Sequence, residues 1–274
     1  MTEKRPIDIR AVLRRKAPAL AKRIPACVVN YLCRLVHEDA LNEILERYQH
    51  LEGVAFMQAL MREFEVTLQV VGEERLPEGR SCIFVSNHPL GGLDGICLAA
   101  MLGERYDTKI CYLVNDLLMY IPNLRSIFVP VNKHGSQNRE TALRMETAFR
   151  SDRQMLTFPA GLCSRRQKGQ IYDLAWKKSF VQKAVEYRRD IVPLYFEGRN
   201  SLFFYRLANI RKRLGIKTNI EMLCLPDEMF KNRRRTFLIH VGELIPWQTF
   251  DRSKKPAEWA EWVKEKVYLL GTNK

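Results

Sequence analysis

With 274 residues, 46% of them hydrophobic, the chain is long enough to bury a full core, as one large domain or as a domain with a helical extension. Its formal net charge of +14 favours anionic partners: nucleic acid, acidic lipid head groups or an acidic carrier protein. Seven Cys form no CxxC pair and no run of about 18 apolar residues occurs, which argues against a metal site, a disulfide framework and a membrane-spanning helix.

Residues 1–25 are basic but lack a continuous apolar core, so no secretory signal is expected. Residues 1–36 hold nine Lys or Arg against Glu3 and Asp8, which is half the net charge of the chain. Ile9, Val12, Leu13, Leu20 and Ile24 are interleaved with those cations, and Pro18 and Pro25 divide the stretch into short helices. Residues 26–37 read as a more apolar helix with Val28, Val29, Leu32 and Leu35. A basic amphipathic segment of this kind can lie in an anionic bilayer interface. The other reading is a helical pair packed on the domain with solvated basic faces, and the two are compatible. Leu41, Ile44, Leu45 and Tyr48 recur at helical spacing, as do Phe56, Leu60 and Phe64, which predicts helices over 38–48 and 54–64. Residues 1–65 thus form an N-terminal helical segment, and 66–274 the main domain.

Residues 66–71 alternate as a strand, and Pro77 and Gly79 mark a turn-rich connector after it. Strands are expected at 82–86, 109–114, 127–131, 154–158 and 191–196. Helices are expected at 93–103, 137–150 and 174–188, with a helix or loop at 115–126. A late strand at 236–241 and a closing helix at 257–270, carrying Trp259 and Trp262, complete the chain. This alternation predicts an α/β fold: a largely parallel central sheet flanked by helices, with an N-terminal helical segment.

Three clusters follow expected strands at their C-terminal ends, where loops of an open α/β sheet converge on a ligand crevice. The first is Asn87-His88 through Gly91-Gly92 to Asp94. An imidazole held by a carboxylate through one nitrogen can take a hydroxyl proton with the other, so His88 and Asp94 are the candidate catalytic pair. The second runs from Arg125 through Phe128 to Lys133. The third is Phe158-Pro159-Ala160-Gly161 with Ser164, Arg165 and Arg166. Lys133, Arg165 and Arg166 suit an anionic head group. Cys163 reads as a buried thiol rather than a nucleophile. No Gly-x-Ser-x-Gly elbow occurs, which weighs against a hydrolase of that design. A rival from another class is nucleic-acid binding, because the charge is a sufficient footprint and Arg206, Arg211, Lys212, Arg213, Lys217, Lys231 and Arg233 to Arg235 form basic runs. No nucleic-acid motif is recognisable, so no nucleic-acid partner is expected.

In this order and spacing the clusters resemble the glycerolipid (lysophospholipid) acyltransferase superfamily, the lysophosphatidate acyltransferase-like enzymes. Asn87-His88 to Asp94 resembles the family's first block, with the catalytic His and Asp. Phe128 to Lys133 resembles the second, with Lys133 where Arg is usual. Phe158-Pro159-x-Gly161 with Ser164-Arg165 resembles the third, and Ile191-Val192-Pro193-Leu194 the fourth, an apolar strand lining the acyl site. The match spans about residues 66 to 200.

Two departures separate this chain from the usual pattern. Five residues stand between His88 and Asp94 where four are usual, and the Gly91-Gly92 pair is expected to absorb the extra one. Ala160 stands where Glu is usual, which removes one acceptor for the acceptor's polar head. The combination looks closer to a bacterial, hemolysin-like branch associated with amino-acid-containing lipids. The resemblance therefore implies an O-acyltransferase that esterifies the 3-hydroxyl of an N-acylated glycine or ornithine; lysophosphatidate is the alternative acceptor. It implies acyl carrier protein or coenzyme A as the thioester co-substrate and no bound cofactor. Asn87, Gly91, Gly92, Lys133, Phe158, Pro159, Gly161, Ser164, Arg165 and Arg166 are the expected substrate-binding residues. The implied location is cytoplasmic, peripheral on the inner face of an anionic membrane.

Overall fold

A computed structural model describes residues 5–16, 18, 23–114, 121–130 and 139–272. Lys133, the end of the second cluster and part of the 115–126 connector lie outside the described residues. In chain order, helices α1 (Ile9–Lys16), α2 (Ala26–Leu35), α3 (Glu38–Arg47) and α4 (Gly53–Glu63) precede strand β1 (Thr67–Val71). Then come β2 (Ile83–Ser86), α5 (Leu93–Arg105), β3 (Ile110–Val114), β4 (Phe128–Pro130), α6 (Arg139–Arg150) and β5 (Gln154–Thr157). A hairpin of β6 (Arg165–Gln167) and β7 (Gln170–Tyr172) leads to α7 (Ser179–Tyr187) and β8 (Ile191–Phe196). The chain ends with α8 (Leu202–Arg213), α9 (Leu225–Lys231), β9 (Thr236–Val241) and α10 (Pro256–Leu270).

The chain divides into two compact units. The first gathers the described residues of 1–51 with 200–232; the second holds 52–199 with 233–274. In the first unit, the Asp8 carboxylate accepts the Ala11 amide at 2.8 Å in the first turn of α1. His37 turns the chain from α2 into α3 at a φ of 52°, in the left-handed region. Its ring stacks on Phe230 at 4.0 Å between centroids, and its Nε2 lies 3.0 Å from Asp227 on α9. Ser201 begins α8 by accepting the Phe204 amide, while its own hydroxyl and amide donate to the Glu228 carboxylate. Helix ends leave unpaired amides, and these side chains satisfy them.

The second unit is built on a seven-stranded sheet of order β1-β9-β8-β2-β5-β3-β4. β8, β2, β5, β3 and β4 run parallel to one another; β9 is antiparallel to β8 and parallel to β1. The sheet is thus largely parallel and flanked by helices, as the alternation in the sequence predicts. β2 lies between β8 and β5 and is fully buried, which is why Ile83, Phe84 and Val85 read as an unbroken apolar run. Ile83 and Val85, on one face, join Met155, Phe149, Phe180, Val263 and Val267 in a core built with α6, α7 and α10. α5 is itself mostly buried and packs on α4. Two glycines permit its close approach: a Cβ at Gly95 would sit 2.3 Å from the Tyr112 hydroxyl, and one at Gly103 would sit 2.4 Å from the Val54 side chain. That packing fixes the first turn of α5, where Asp94 stands.

Three local expectations change. α7 starts at Ser179, because the backbone before it is pinned elsewhere: the Lys177 amide donates to the Pro159 carbonyl and the Trp176 indole to Asp173. The turn after Ser164 is a hairpin whose two central residues, Lys168 and Gly169, have φ of 48° and 87°, the mirror-image turn that matches strand twist. Residues 202–213 and 225–231, which carry no expectation beyond their basic runs, are helical.

Candidate active site

His88 and Asp94 meet just beyond the C-terminal end of β2. Gly91, at a φ of 78°, turns the loop through a conformation that a side chain would strain, and Gly92 precedes α5 with open space at its Cβ position. The extra residue is accommodated there: His88 Nδ1 lies 3.0 Å from Asp94 Oδ2. The same oxygen accepts the amides of Leu90 at 2.9 Å and Gly91 at 3.3 Å, and Oδ1 accepts the Gly95 amide at 2.9 Å. Asp94 is fully buried, so it is held by its own loop rather than by solvent.

The His88 side chain keeps 13% of its surface exposed. Its ring stacks on Phe158 at 4.2 Å between centroids, and Phe158 in turn contacts Tyr112 at 5.6 Å. Burial works against charge on this imidazole, but Asp94 and, more weakly, Asp173 outweigh it, so the pKa of His88 lies above that of an ordinary His. Arg165 opposes them, which places its positive charge within electrostatic reach of the ring.

The backbone of His88 is held as well as its ring. Its carbonyl accepts the Ser164 amide at 2.8 Å, and its amide donates to Asp173 Oδ1 at 3.2 Å. That same Asp173 oxygen accepts the Ser164 hydroxyl at 2.6 Å, and Oδ2 accepts the Trp176 indole at 2.9 Å. The Asp173 amide donates to the Tyr268 hydroxyl on α10 at 2.7 Å. Burial lifts the Asp173 carboxyl above the usual carboxylate range in spite of these donors. Asp173 is the site residue that sequence reasoning missed. Its only signal was an acid set among Ile171, Tyr172, Leu174 and Trp176, where a buried polar group needs partners.

The remaining expected residues occupy distinct positions. Asn87 is buried and clamps β2 to β8: its Oδ1 accepts the Phe196 amide at 2.7 Å and its Nδ2 donates to the Phe196 carbonyl at 3.0 Å. Phe158, Pro159 and Gly161 form the turn after β5, closed by the Gly161 amide on the Phe158 carbonyl at 3.0 Å, with Gly161 at a φ of 66°. Arg165 is buried and donates to the Cys163 carbonyl at 2.7 Å. Arg166 is exposed, on the opposite face of the hairpin strand, and does not join the group around His88. The Cys163 thiol is buried and pushed up to about 11 by desolvation, so it is no thiolate nucleophile at neutral pH. Among the described residues no group of His, Cys, Asp and Glu has the makings of a metal site.

A carboxylate-oriented imidazole at the C-terminal edge of a parallel sheet is an arrangement for proton transfer at a hydroxyl. Comparison with known proteins gives the class. The family model described as "Acyltransferase" matches residues 11–274, and the chain belongs to that family; it is an acyltransferase. It is 53% identical over 264 residues to a protein of Phocaeicola vulgatus named lyso-glycine lipid O-acyltransferase, covering 96% of this chain and 95% of that one. It is also 53% identical over 264 residues to a protein of the same name from Bacteroides thetaiotaomicron, covering 96% and 97%. Among solved structures, the 1-acyl-sn-glycerophosphate acyltransferase PlsC from Thermotoga maritima aligns at 17% identity and a TM-score of 0.46, covering 89% of this chain and 96% of that one. The acyltransferase resemblance read from the three clusters holds on the family match and the two curated relatives.

Proposed function

We propose that this protein transfers a fatty acyl chain from an acyl thioester to the 3-hydroxyl of an N-acyl glycine, completing a two-chain aminolipid. The observation that carries the reading is the His88–Asp94 pair, 3.0 Å apart, in a chain 53% identical to two lyso-glycine lipid O-acyltransferases. Asp94 fixes the ring so that His88 Nε2 faces the acceptor. The acceptor O–H bond breaks as its proton passes to Nε2, and the oxygen attacks the thioester carbonyl. The tetrahedral oxyanion then collapses, the C–S bond breaks, and the thiol leaves with the proton that His88 returns. The products are an ester and a free thiol, with no acyl-enzyme. Arg165, a buried cation whose charge is felt at the imidazole, supplies positive potential for the acceptor's carboxylate. Ala160 stands where the resemblance expects a carboxylate, so one acceptor for a hydroxylated phosphate head is missing, which favours an N-acyl glycine over lysophosphatidate. Acyl carrier protein fits the chain's charge of +14 as donor.

The test is acyl transfer from labelled acyl carrier protein to N-(3-hydroxyacyl)glycine, N-(3-hydroxyacyl)ornithine and lysophosphatidate, each offered alone. The glycine acceptor is expected to give the largest kcat/KM. Product with lysophosphatidate alone would overturn the aminolipid reading while keeping the family. Acyl release without any acceptor would point to hydrolysis.

A further inference from the structure

The catalytic unit does not use the most unusual surface of the molecule, which is the outer face of α8. A surface helix of a soluble domain turns its apolar residues inward and its charges outward. α8 buries Phe204, Tyr205 and Ala208, as expected, but it also exposes large apolar side chains on the opposite side. Phe203 and Ile210 are 53% and 52% exposed and lie seven residues apart, two turns along one stripe. Leu214, 69% exposed, continues that stripe beyond the last turn, and Leu202 flanks it at 56%. No other stretch of the described residues exposes so many large apolar groups so close together.

The charges that α8 and its flanking residues carry have one sign. From residue 198 to residue 220 there is no Asp or Glu, while Arg206, Lys212, Arg213 and Lys217 are all exposed. Arg211 is set apart from them by its ion pair with the buried Glu221, 2.9 Å away, and serves to hold the helix down. A one-signed basic rim around exposed aliphatic and aromatic side chains matches an anionic bilayer interface, where the rim meets head groups and the stripe enters the acyl boundary. A nucleic acid would use the cations and leave Phe203, Ile210 and Leu214 in water, so it accounts for half of the surface.

We propose that α8 is a lipid-docking helix that lies in the plane of an anionic membrane, with Phe203, Ile210 and Leu214 inserted and Arg206, Arg213 and Lys217 on the head groups. This assignment deepens the reading that the acceptor is a membrane lipid, but vesicle binding is measured without turnover, so either can fail alone. The experiment is flotation of the full chain with vesicles of phosphatidylcholine alone and with equal parts of phosphatidylglycerol. It compares wild type, Phe203→Gln with Ile210→Gln, and Arg206→Gln with Arg213→Gln. Wild type is expected to float with the anionic vesicles only. The arginine pair is expected to lose about 30-fold in affinity and part of the salt dependence. The apolar pair is expected to lose at least about tenfold at every salt concentration. Gel filtration and thermal melting check that each variant is folded, and transfer to a short-chain soluble acceptor should be unchanged in both. Vesicle binding that survives in both pairs would overturn the proposal, as would a wild-type chain that ignores anionic vesicles and shifts duplex DNA instead.

Discussion

At the scale of single residues the site depends on one carboxylate oxygen. Asp94 Oδ2 receives the His88 ring and two backbone amides, so orienting the imidazole and closing the loop are the same act. Asp94→Asn puts an amide where donors already point, and should cost about 1–3 kcal/mol of stability as well as activity, read by urea titration. Because Asp94 raises the His88 pKa, the sign of the pH dependence follows. If His88 is the base of the proposed transfer, it works only when neutral, so kcat/KM should rise with pH through an inflection above the ordinary His value of about 6.5, and Asp94→Asn should move that inflection down. The stability that charged His88 draws from Asp94 runs the other way: it is full below about pH 6.5 and is lost as pH rises through the raised value. Asp173 acts on the same ring more weakly and holds the His88 amide. Asp173→Asn should therefore shift the inflection down by less than Asp94→Asn does, whereas a purely structural role would leave it unmoved. His88, Asp94, Phe158 and Arg165 were legible because they sit in short signatures after buried strands. Asp173 was not, because its partners Ser164, Trp176 and Tyr268 come together only when the hairpin and α10 are in place.

At the scale of elements, the central strands were readable because strands buried on both faces are unbroken apolar runs, as in β2 and β8. The direction of β9 was not, since an alternating run at 236–241 fits either orientation; only its register with β1 and β8 makes it the strand where the sheet reverses. α8 escaped because its exposed Phe203, Ile210 and Leu214 spread apolar residues around the helix and blur its period. The β6–β7 hairpin escaped because its strands are three residues long and its turn is Lys-Gly rather than Asn-Gly. Packing between elements sets a further prediction. Gly95 brings the first turn of α5 against the Tyr112 ring, and a methyl there meets the buried hydroxyl. Gly95→Ala should destabilise the chain by about 1–3 kcal/mol and reduce turnover, because relief of the clash moves Asp94; thermal unfolding and kcat measured together read both effects.

Across the whole molecule, charge is the dominant feature. An excess of +14 steers anionic partners and is screened by salt. If the donor is an acidic carrier protein, its KM should rise several-fold as ionic strength goes from about 0.01 M to 0.15 M, while kcat at saturation stays level. Among the described residues no helix is long and apolar enough to cross a membrane. The arrangement of the candidate site within the second unit is simple by comparison: β2, β5 and β8 hold three adjacent backbones in register, and the loops after β2 and β5 carry His88, Asp94 and Phe158 to one edge. The most direct measurement is single-turnover transfer of a labelled acyl chain from acyl carrier protein to N-(3-hydroxyacyl)glycine, by wild type and by folded His88→Ala. Wild type should form the ester, and the variant should be slower by about 10²–10⁴-fold with unchanged thermal stability at alkaline pH. Equal rates for the two, or no ester from wild type, would contradict acyl transfer by His88.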